Sequence, residues 1–102
     1  MSMLHIVNKS PFERNALDAC LRLAKSGSSL LLIEDAVYAA MKGTTVSDKV
    51  AAAMKDMKVY VLGADLKARG VGEEKLMEGI DVVDYAGFVD LVAEHDNNQS
   101  WL

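Results

Sequence analysis

Cys20 is the residue of this chain best suited to covalent chemistry, because a cysteine thiolate is a strong nucleophile. It is the one cysteine among the 102 residues, and it lies in a predicted helix on the side that carries the apolar residues. Burial there raises the pKa of a thiol and makes it inert, so one interpretation is a small core residue. The apolar side is wider than one sheet contact requires, however. If part of it lines a subunit interface, Cys20 can carry sulfur there as a persulfide, and the pattern leaves both interpretations open.

The two histidines are not accompanied by residues that would complete a metal site or a catalytic triad. His5 and His95 have no cysteine or histidine at metal-ligand spacing, and no serine occurs in a nucleophile-elbow motif. We expect His5 to be a hydrogen-bonded core residue. We expect His95 to act as a cation that stabilises the carboxyl end of the last helix. The sequence therefore predicts neither a metal ligand nor a hydrolytic centre.

Acidic residues at the ends of predicted strands argue against a phosphate-binding site, which needs a glycine-rich turn that presents backbone amides. The acids at these turns are Glu34, Asp35, Asp65 and Asp84. An alternative is the magnesium site of a phospho-accepting receiver domain, but that site requires an acidic pair after the first strand, where this chain has asparagine and lysine. We expect the three aspartates to serve as helix caps, and we expect no cofactor.

The composition predicts a small globular protein that meets a partner. The chain is long enough for one domain over 1–102, and 51% of its residues are hydrophobic, which is a high share for its size. The net charge is −4, and lysines and arginines are scattered singly, which argues against direct binding to nucleic acid. No apolar run approaches the roughly 20 residues of a membrane span, and no leader is evident. We expect a cytoplasmic protein that binds no membrane.

Continuous apolar runs predict a parallel sheet. Two stretches, 30–40 and 59–70, each pass from such a run into a helical pattern, as is typical of strands that helices cover on both faces. Together with shorter runs at 4–7 and 80–83, they predict four strands in a three-layer α/β fold with the order 2-1-3-4. A sheet of this size leaves its edges thinly covered, so we expect an oligomer.

Capping patterns mark the predicted helices. Residues 10–13, Ser-Pro-Phe-Glu, form a capping box with proline at the first helical position, and Gly27 ends that helix in the left-handed conformation. Ser47 and Asp84 can each cap a later helix. The residues of the last helix that are predicted to face inward are Tyr85, Phe88, Val89, Leu91 and Val92. Trp101 is predicted to dock on the chain's own domain as an aromatic anchor.

In their order and spacing, residues along almost the whole chain resemble the TusB and DsrH family, small subunits of bacterial sulfur-relay complexes. They are Leu4-His5, Ser10-Pro11, Leu30-Leu31-Leu32, Asp35, Val37, Ala39-Ala40, Val59-Tyr60-Val61-Leu62, Asp65-Leu66, Ala68-Arg69-Gly70, Asp84-Tyr85, Phe88-Val89, Leu91, His95 and Trp101. One departure is Ala36, where the family pattern leads us to expect glycine. The resemblance implies a small DsrE-like α/β fold and a heterohexamer with two sister subunits, with two copies of each chain.

The resemblance also implies a function. Such complexes pass persulfide sulfur to a small acceptor protein of the DsrC or TusE type, either toward tRNA 2-thiouridine or in cytoplasmic sulfur oxidation. The principal sulfur-bearing cysteine of the family belongs to a sister subunit, and no motif here matches it. Sulfur-oxidation members can have a cysteine at the place of Cys20, which some tRNA-thiolation members lack. We therefore expect a sulfur-oxidation subunit with Cys20 as persulfide carrier. The alternative is a non-catalytic scaffold subunit for tRNA thiolation.

Overall fold

The computed structural model describes residues 3–10, 16–24 and 27–101. The strands within these ranges are β1 (Met3–Val7), β2 (Ser29–Leu32), β3 (Lys58–Leu62), β4 (Asp81–Val83) and β5 (Asn97–Trp101). The α-helices are α1 (Ala16–Leu23), α2 (Ser47–Ala53), α3 (Gly63–Ala68) and α4 (Tyr85–Glu94), and 3-10 helices span Glu34–Ala40 and Glu73–Lys75. The capping box predicted at 10–13 lies, apart from its serine, outside the described residues. None of the described helices has the length and apolar character needed to cross a membrane.

The sheet is parallel at every strand pair, and its order is β4-β3-β2-β1-β5. The predicted three-layer DsrE-like α/β fold is confirmed, but the order 2-1-3-4 is wrong, and the described residues include a fifth strand. Right-handed connections keep their helices on one face as long as the chain steps in one direction across the sheet. From β1 to β4 the direction never changes. The chain reverses its direction after β4, because α4 leads back across the sheet to β5, which lies beside β1. With a right-handed connection, α4 therefore covers the opposite face.

Two apolar clusters lie on opposite faces of the sheet, because successive side chains of a strand alternate between faces. Leu30 and Leu32 of β2 pack under α1, α2 and the 3-10 helix Glu34–Ala40. Leu31, between them, packs with β1 on the face that Leu91 of α4 covers. All three leucines are fully buried. This double coverage is the reason that β2 reads as a continuous apolar run.

The strand β5 was not expected, because the sequence of Asn97–Trp101 has no apolar alternation. It pairs in parallel with β1 over all five residues, from Met3 beside Asn97 to Val7 beside Trp101. Its first four residues are exposed, so the pairing rests on backbone hydrogen bonds and on its last residue. Trp101 packs against the first apolar cluster, and its predicted docking on the chain's own domain is confirmed.

Local details of the helices differ in part from the prediction. Gly27 has the expected left-handed conformation, with φ of 88°, and Asp84 caps α4 by accepting a 2.8 Å hydrogen bond from the Gly87 N–H. Ser47 is not the cap of α2. Its hydroxyl instead accepts a hydrogen bond from the Thr44 N–H and donates one to a backbone carbonyl of the preceding loop, so it stabilises the loop that leads into the helix.

The outer side of α4 carries the clearest correction to the predicted core. Leu91 is 6% exposed and Phe88 and Val92 are partly buried, as predicted. Tyr85 and Val89, which were also predicted to face inward, are 62% and 65% exposed. The apolar arc of this helix is wider than its contact with the sheet, and periodicity alone does not tell which part of a wide arc touches the core.

Candidate functional site

Cys20 lies in the middle of α1 and is completely buried, with 0% of its surface exposed. It belongs to the first apolar cluster, together with Leu17 of the same helix and Val7 of β1. Removal from water disfavours the charged thiolate and raises the pKa of Cys20 to about 12. The predicted location on the packed side of the helix is thus confirmed.

This environment suppresses nucleophilic chemistry at the thiol. With a pKa of about 12, on the order of 10⁻⁵ of the thiols are ionised near neutral pH, and the thiolate is the reactive form. Sulfur transfer to Cys20 would require both ionisation and a path for the donor, so α1 would have to separate from the sheet. In the observed conformation Cys20 acts as a small apolar residue. Its role as a persulfide carrier stays a prediction.

Asp35 and Asp65, which were predicted to cap helices, instead form an ion-pair network with Arg69 at the carboxyl edge of the sheet. Asp65 of α3 accepts a 2.7 Å hydrogen bond from the backbone N–H of Glu34. Arg69 donates from Nε to Asp35 Oδ1 at 2.9 Å and lies 3.8 Å from Asp65 Oδ1 through Nη1. The network joins the 3-10 helix Glu34–Ala40 to α3, so these carboxylates have structural partners. Among the described residues, no group of three or more His, Cys, Asp or Glu side chains is arranged to hold a metal ion.

His5 is buried in β1, where its Nδ1 lies 3.1 Å from Nε1 of Trp101. The indole N–H is a donor only, so Nδ1 must accept, and the imidazole is neutral with its proton on Nε2. Burial lowers the pKa of His5, which favours this neutral form. The expected role as a hydrogen-bonded core residue is confirmed, although the partner, 96 positions away in the sequence, was not foreseen.

His95 caps the carboxyl end of α4 and ties this helix to the sheet. Its Nδ1 lies 2.7 Å from the Leu91 carbonyl, and its Nε2 lies 2.9 Å from the hydroxyl of Ser29 in β2. The Leu91 carbonyl can only accept, so Nδ1 donates to it, and the Ser29 hydroxyl can act as donor or acceptor toward Nε2. The expected position at the helix end is confirmed. The serine–histidine contact has no carboxylate in the third position, because a backbone carbonyl occupies it.

A groove of about 920 Å³ opens between α3 and α4, at the carboxyl ends of β3 and β4. Apolar and small residues line much of it, among them Gly63, Leu66, Val82 and Tyr85. The large hydrophobic residues that are exposed within the described part of the chain all lie here or one helical turn away: Val82, Tyr85 and Val89. This surface was not predicted from the sequence, because Tyr85 and Val89 were assigned to the core.

Comparison with known proteins gives one consistent relationship. Residues 9–98 match the family model described as DsrH like protein. The protein TusB of Escherichia coli (strain K12) is 36% identical over 99 residues, which cover 97% of this chain and 100% of that protein. The protein TusB of Pectobacterium parmentieri is 34% identical with the same coverage of both chains.

Solved structures show the same fold at lower sequence identity. The crystal structure of the ychN protein from E. coli superposes with a TM-score of 0.85 at 18% identity and covers 98% of both chains. A protein of unknown function from Methanobacterium thermoautotrophicum, MTH1491, superposes with a TM-score of 0.71 at 17% identity, over 97% of this chain and 96% of that one. Both likenesses concern the fold alone.

Proposed function

Because the chain belongs to the DsrH-like family, we propose that it is a subunit of a cytoplasmic sulfur-relay complex, in which it serves assembly rather than sulfur chemistry. The family resemblance supports the relay, since its members are small subunits of such complexes. It also supports two sister subunits, two copies of each chain, and a small acceptor protein of the DsrC or TusE type. The buried thiol supports the division of labour within the complex.

The observation that carries this proposal is the complete burial of Cys20. To load a carrier, its thiolate must attack the outer sulfur of a donor persulfide, form a new S–S bond and release the donor as a thiolate. Cys20 offers neither the ionised form nor an open path in the observed conformation. The sulfur-bearing cysteine is then expected on a sister chain, as the family resemblance implies.

Transfer toward tRNA 2-thiouridine is the pathway we propose. The relatives that match the whole chain at 34–36% identity are named TusB, and tRNA thiolation is the role of TusB-type complexes. The expectation of sulfur oxidation rested on the presence of a cysteine at position 20, which some tRNA-thiolation members lack. Because Cys20 packs in the core, its presence needs no role in sulfur oxidation to explain it, and the names of the relatives support tRNA thiolation.

The test is sulfur loading of the reconstituted complex, with the mass of each chain measured afterwards. The chain is co-expressed with its two sister chains, and the purified complex is incubated with a persulfide donor and the acceptor protein. We expect sulfur on a sister chain and on the acceptor, and none on this chain. A native mass corresponding to two copies of each subunit is expected for the complex.

Two variants make the loading experiment decisive. Cys20→Ala removes the thiol at the cost of a small cavity, and Cys20→Ser keeps the volume, so assembly of each variant is confirmed before transfer is measured. We expect both variants, once assembled, to transfer sulfur at the wild-type rate. Sulfur found on Cys20, together with loss of transfer in an assembled Cys20→Ser complex, would establish the carrier role and refute the scaffold.

A further inference from the structure

We propose that the outer side of α4, together with the adjoining groove, binds a sister subunit whose own contact surface is apolar at its centre and basic at its border. This inference rests on the proposed function and specifies which face of the chain makes the contact. We call this face the α4 surface. Its residues are Val82, Tyr85, Ala86, Val89 and Ala93.

The α4 surface is apolar where a solvent-facing helix side is ordinarily polar. At about 100° per residue, Tyr85, Val89, Ala93 and Ala86 fall within an arc of roughly 100° on the side of the helix away from the sheet. All four are exposed, and two of them are large. An exposed apolar patch of this kind on a small protein is characteristic of a binding surface.

The groove extends this patch beyond the helix. Tyr85 and Val82 line the groove, so the exposed residues of α4 and of the edge strand β4 form one continuous surface. Glycines line the groove as well, and a Cβ at Gly63 would lie 3.0 Å from Val82 Cγ1, while one at Gly87 would lie 3.0 Å from Val83 Cβ. Larger residues at these positions would crowd the side chains that line the groove.

The charge around the α4 surface indicates which partner fits. Residues 76–102 contain six acidic side chains and no lysine or arginine. Outside this segment the groove is lined by one cation and one acid, Lys67 and Glu73, so the net charge of the region stays negative. Two of the six acids, Asp90 and Glu94, are exposed and border the apolar arc on one side. A second copy that presents the same surface would bring these acids together, which costs free energy and slows encounter. A partner with basic residues around an apolar centre avoids this repulsion, so a sister chain is favoured over a second copy.

The experiment measures the affinity of the full chain for its two sister chains, purified together and immobilised. Val89→Arg places a bulky cation in the apolar centre and opposite the basic border, and we expect it to weaken binding at least tenfold. Ala52→Arg is the matched control, because Ala52 is an exposed residue of another helix, α2. Its affinity should equal that of the wild type. Both variants change exposed positions, and thermal unfolding confirms that each remains folded.

A second pair of variants tests the charge argument. Asp90→Lys should weaken binding more than Asp90→Asn, and both should flatten the dependence of affinity on salt concentration. If the wild-type chain binds its sister chains and Val89→Arg binds them with the same affinity, this inference is overturned and the proposed function is left intact. Self-association of the wild-type chain that Val89→Arg abolishes also overturns it, because the occupant is then a second copy. A wild-type chain that binds no sister refutes the proposed function itself and this inference with it.

Discussion

The side chain of Cys20 is enclosed by apolar residues of α1 and β1, and this enclosure controls its reactivity. Burial raises the pKa from 9.0 to about 12, and each pH unit changes the thiolate fraction about tenfold. We therefore expect an alkylating reagent to modify the folded chain roughly 1,000-fold more slowly than the urea-unfolded chain at neutral pH. The measurement is the rate of mass increase, with glutathione as the control for the reagent. Similar rates in both states would mean that α1 opens readily, and would revive Cys20 as a carrier.

His5 gives the stability of the chain a defined pH dependence. Its pKa is lowered in the folded state by burial, so between that lowered value and the unfolded value near 6.5 the unfolded chain binds more protons. The stability that the neutral imidazole contributes is complete above pH 6.5, and it is lost as the pH falls from 6.5 through the lowered pKa of the folded chain. We expect urea unfolding to show decreasing stability as the pH falls below 6.5. His5→Gln, which can still accept from the indole but does not titrate, should lack this component of the slope.

The hydrogen bond between Trp101 and His5 is a separate residue-scale contribution. Trp101→Phe keeps an aromatic ring on the apolar cluster but removes the indole N–H, which leaves Nδ1 of the buried imidazole without its donor. We expect a loss of about 1 kcal/mol in the free energy of unfolding. Urea unfolding above pH 7 measures it apart from the titration of His5. No loss would show that Nδ1 finds another donor or water.

At the scale of elements, Asp65 holds the 3-10 helix Glu34–Ala40 against α3. Asp65→Ala removes the acceptor of the Glu34 N–H and one carboxylate of the Arg69 network. Because both contacts are at least partly open to solvent, we expect a loss of about 1 kcal/mol in the free energy of unfolding. Asp65→Asn keeps an oxygen acceptor and loses the charge, so its free energy of unfolding should lie between those of Asp65→Ala and the wild type. Chemical unfolding of the three proteins gives the comparison. An alanine variant as stable as the wild type would mean that Glu34 finds another acceptor.

The sheet was predictable from the sequence only in part. The central strands were predictable, because burial on both faces leaves a continuous apolar run such as Leu30 to Leu32. The strand β5 was not, because its polar residues carry no pattern and its pairing depends on the backbone of β1. The strand order depends on the direction of each crossover, which local sequence does not encode. For the same reason the contacts His5–Trp101 and Ser29–His95 were out of reach.

In the candidate sites too, features set by local sequence were predictable, and features set by tertiary packing were not. The position of Cys20 on the packed side of its helix could be derived from periodicity, and so could the cap at Asp84. The exposure of Val89 could not, because it depends on how α4 lies over the other face of the sheet. A wide apolar arc in a sequence is therefore consistent with a core and with an interface. Here the structure divides the arc of α4 between the two.

For the whole molecule, the order of the sheet predicts a gradient of local stability. The strand β2 lies at the centre and is buried on both faces, whereas β5 is an edge strand whose first four residues are exposed. Local opening is easiest where few apolar contacts are lost. Hydrogen exchange should therefore be slowest at the amides of Leu30–Leu32 and much faster in β5.

Assembly with the sister chains should change this gradient in one place. A partner on the α4 surface excludes water from α4 and β4 and opposes their local opening. The amides of Tyr85–Glu94 should therefore exchange more slowly in the complex. The amides of β5, at the far edge of the sheet, should exchange as fast as in the free chain. Hydrogen exchange with mass spectrometry of the free chain and of the complex makes the comparison, with Ala52→Arg in the complex as a control. Protection gained at β5 without protection at α4 would place the partner on the opposite edge, where Asn97, Asn98 and Gln99 offer polar contacts rather than apolar burial.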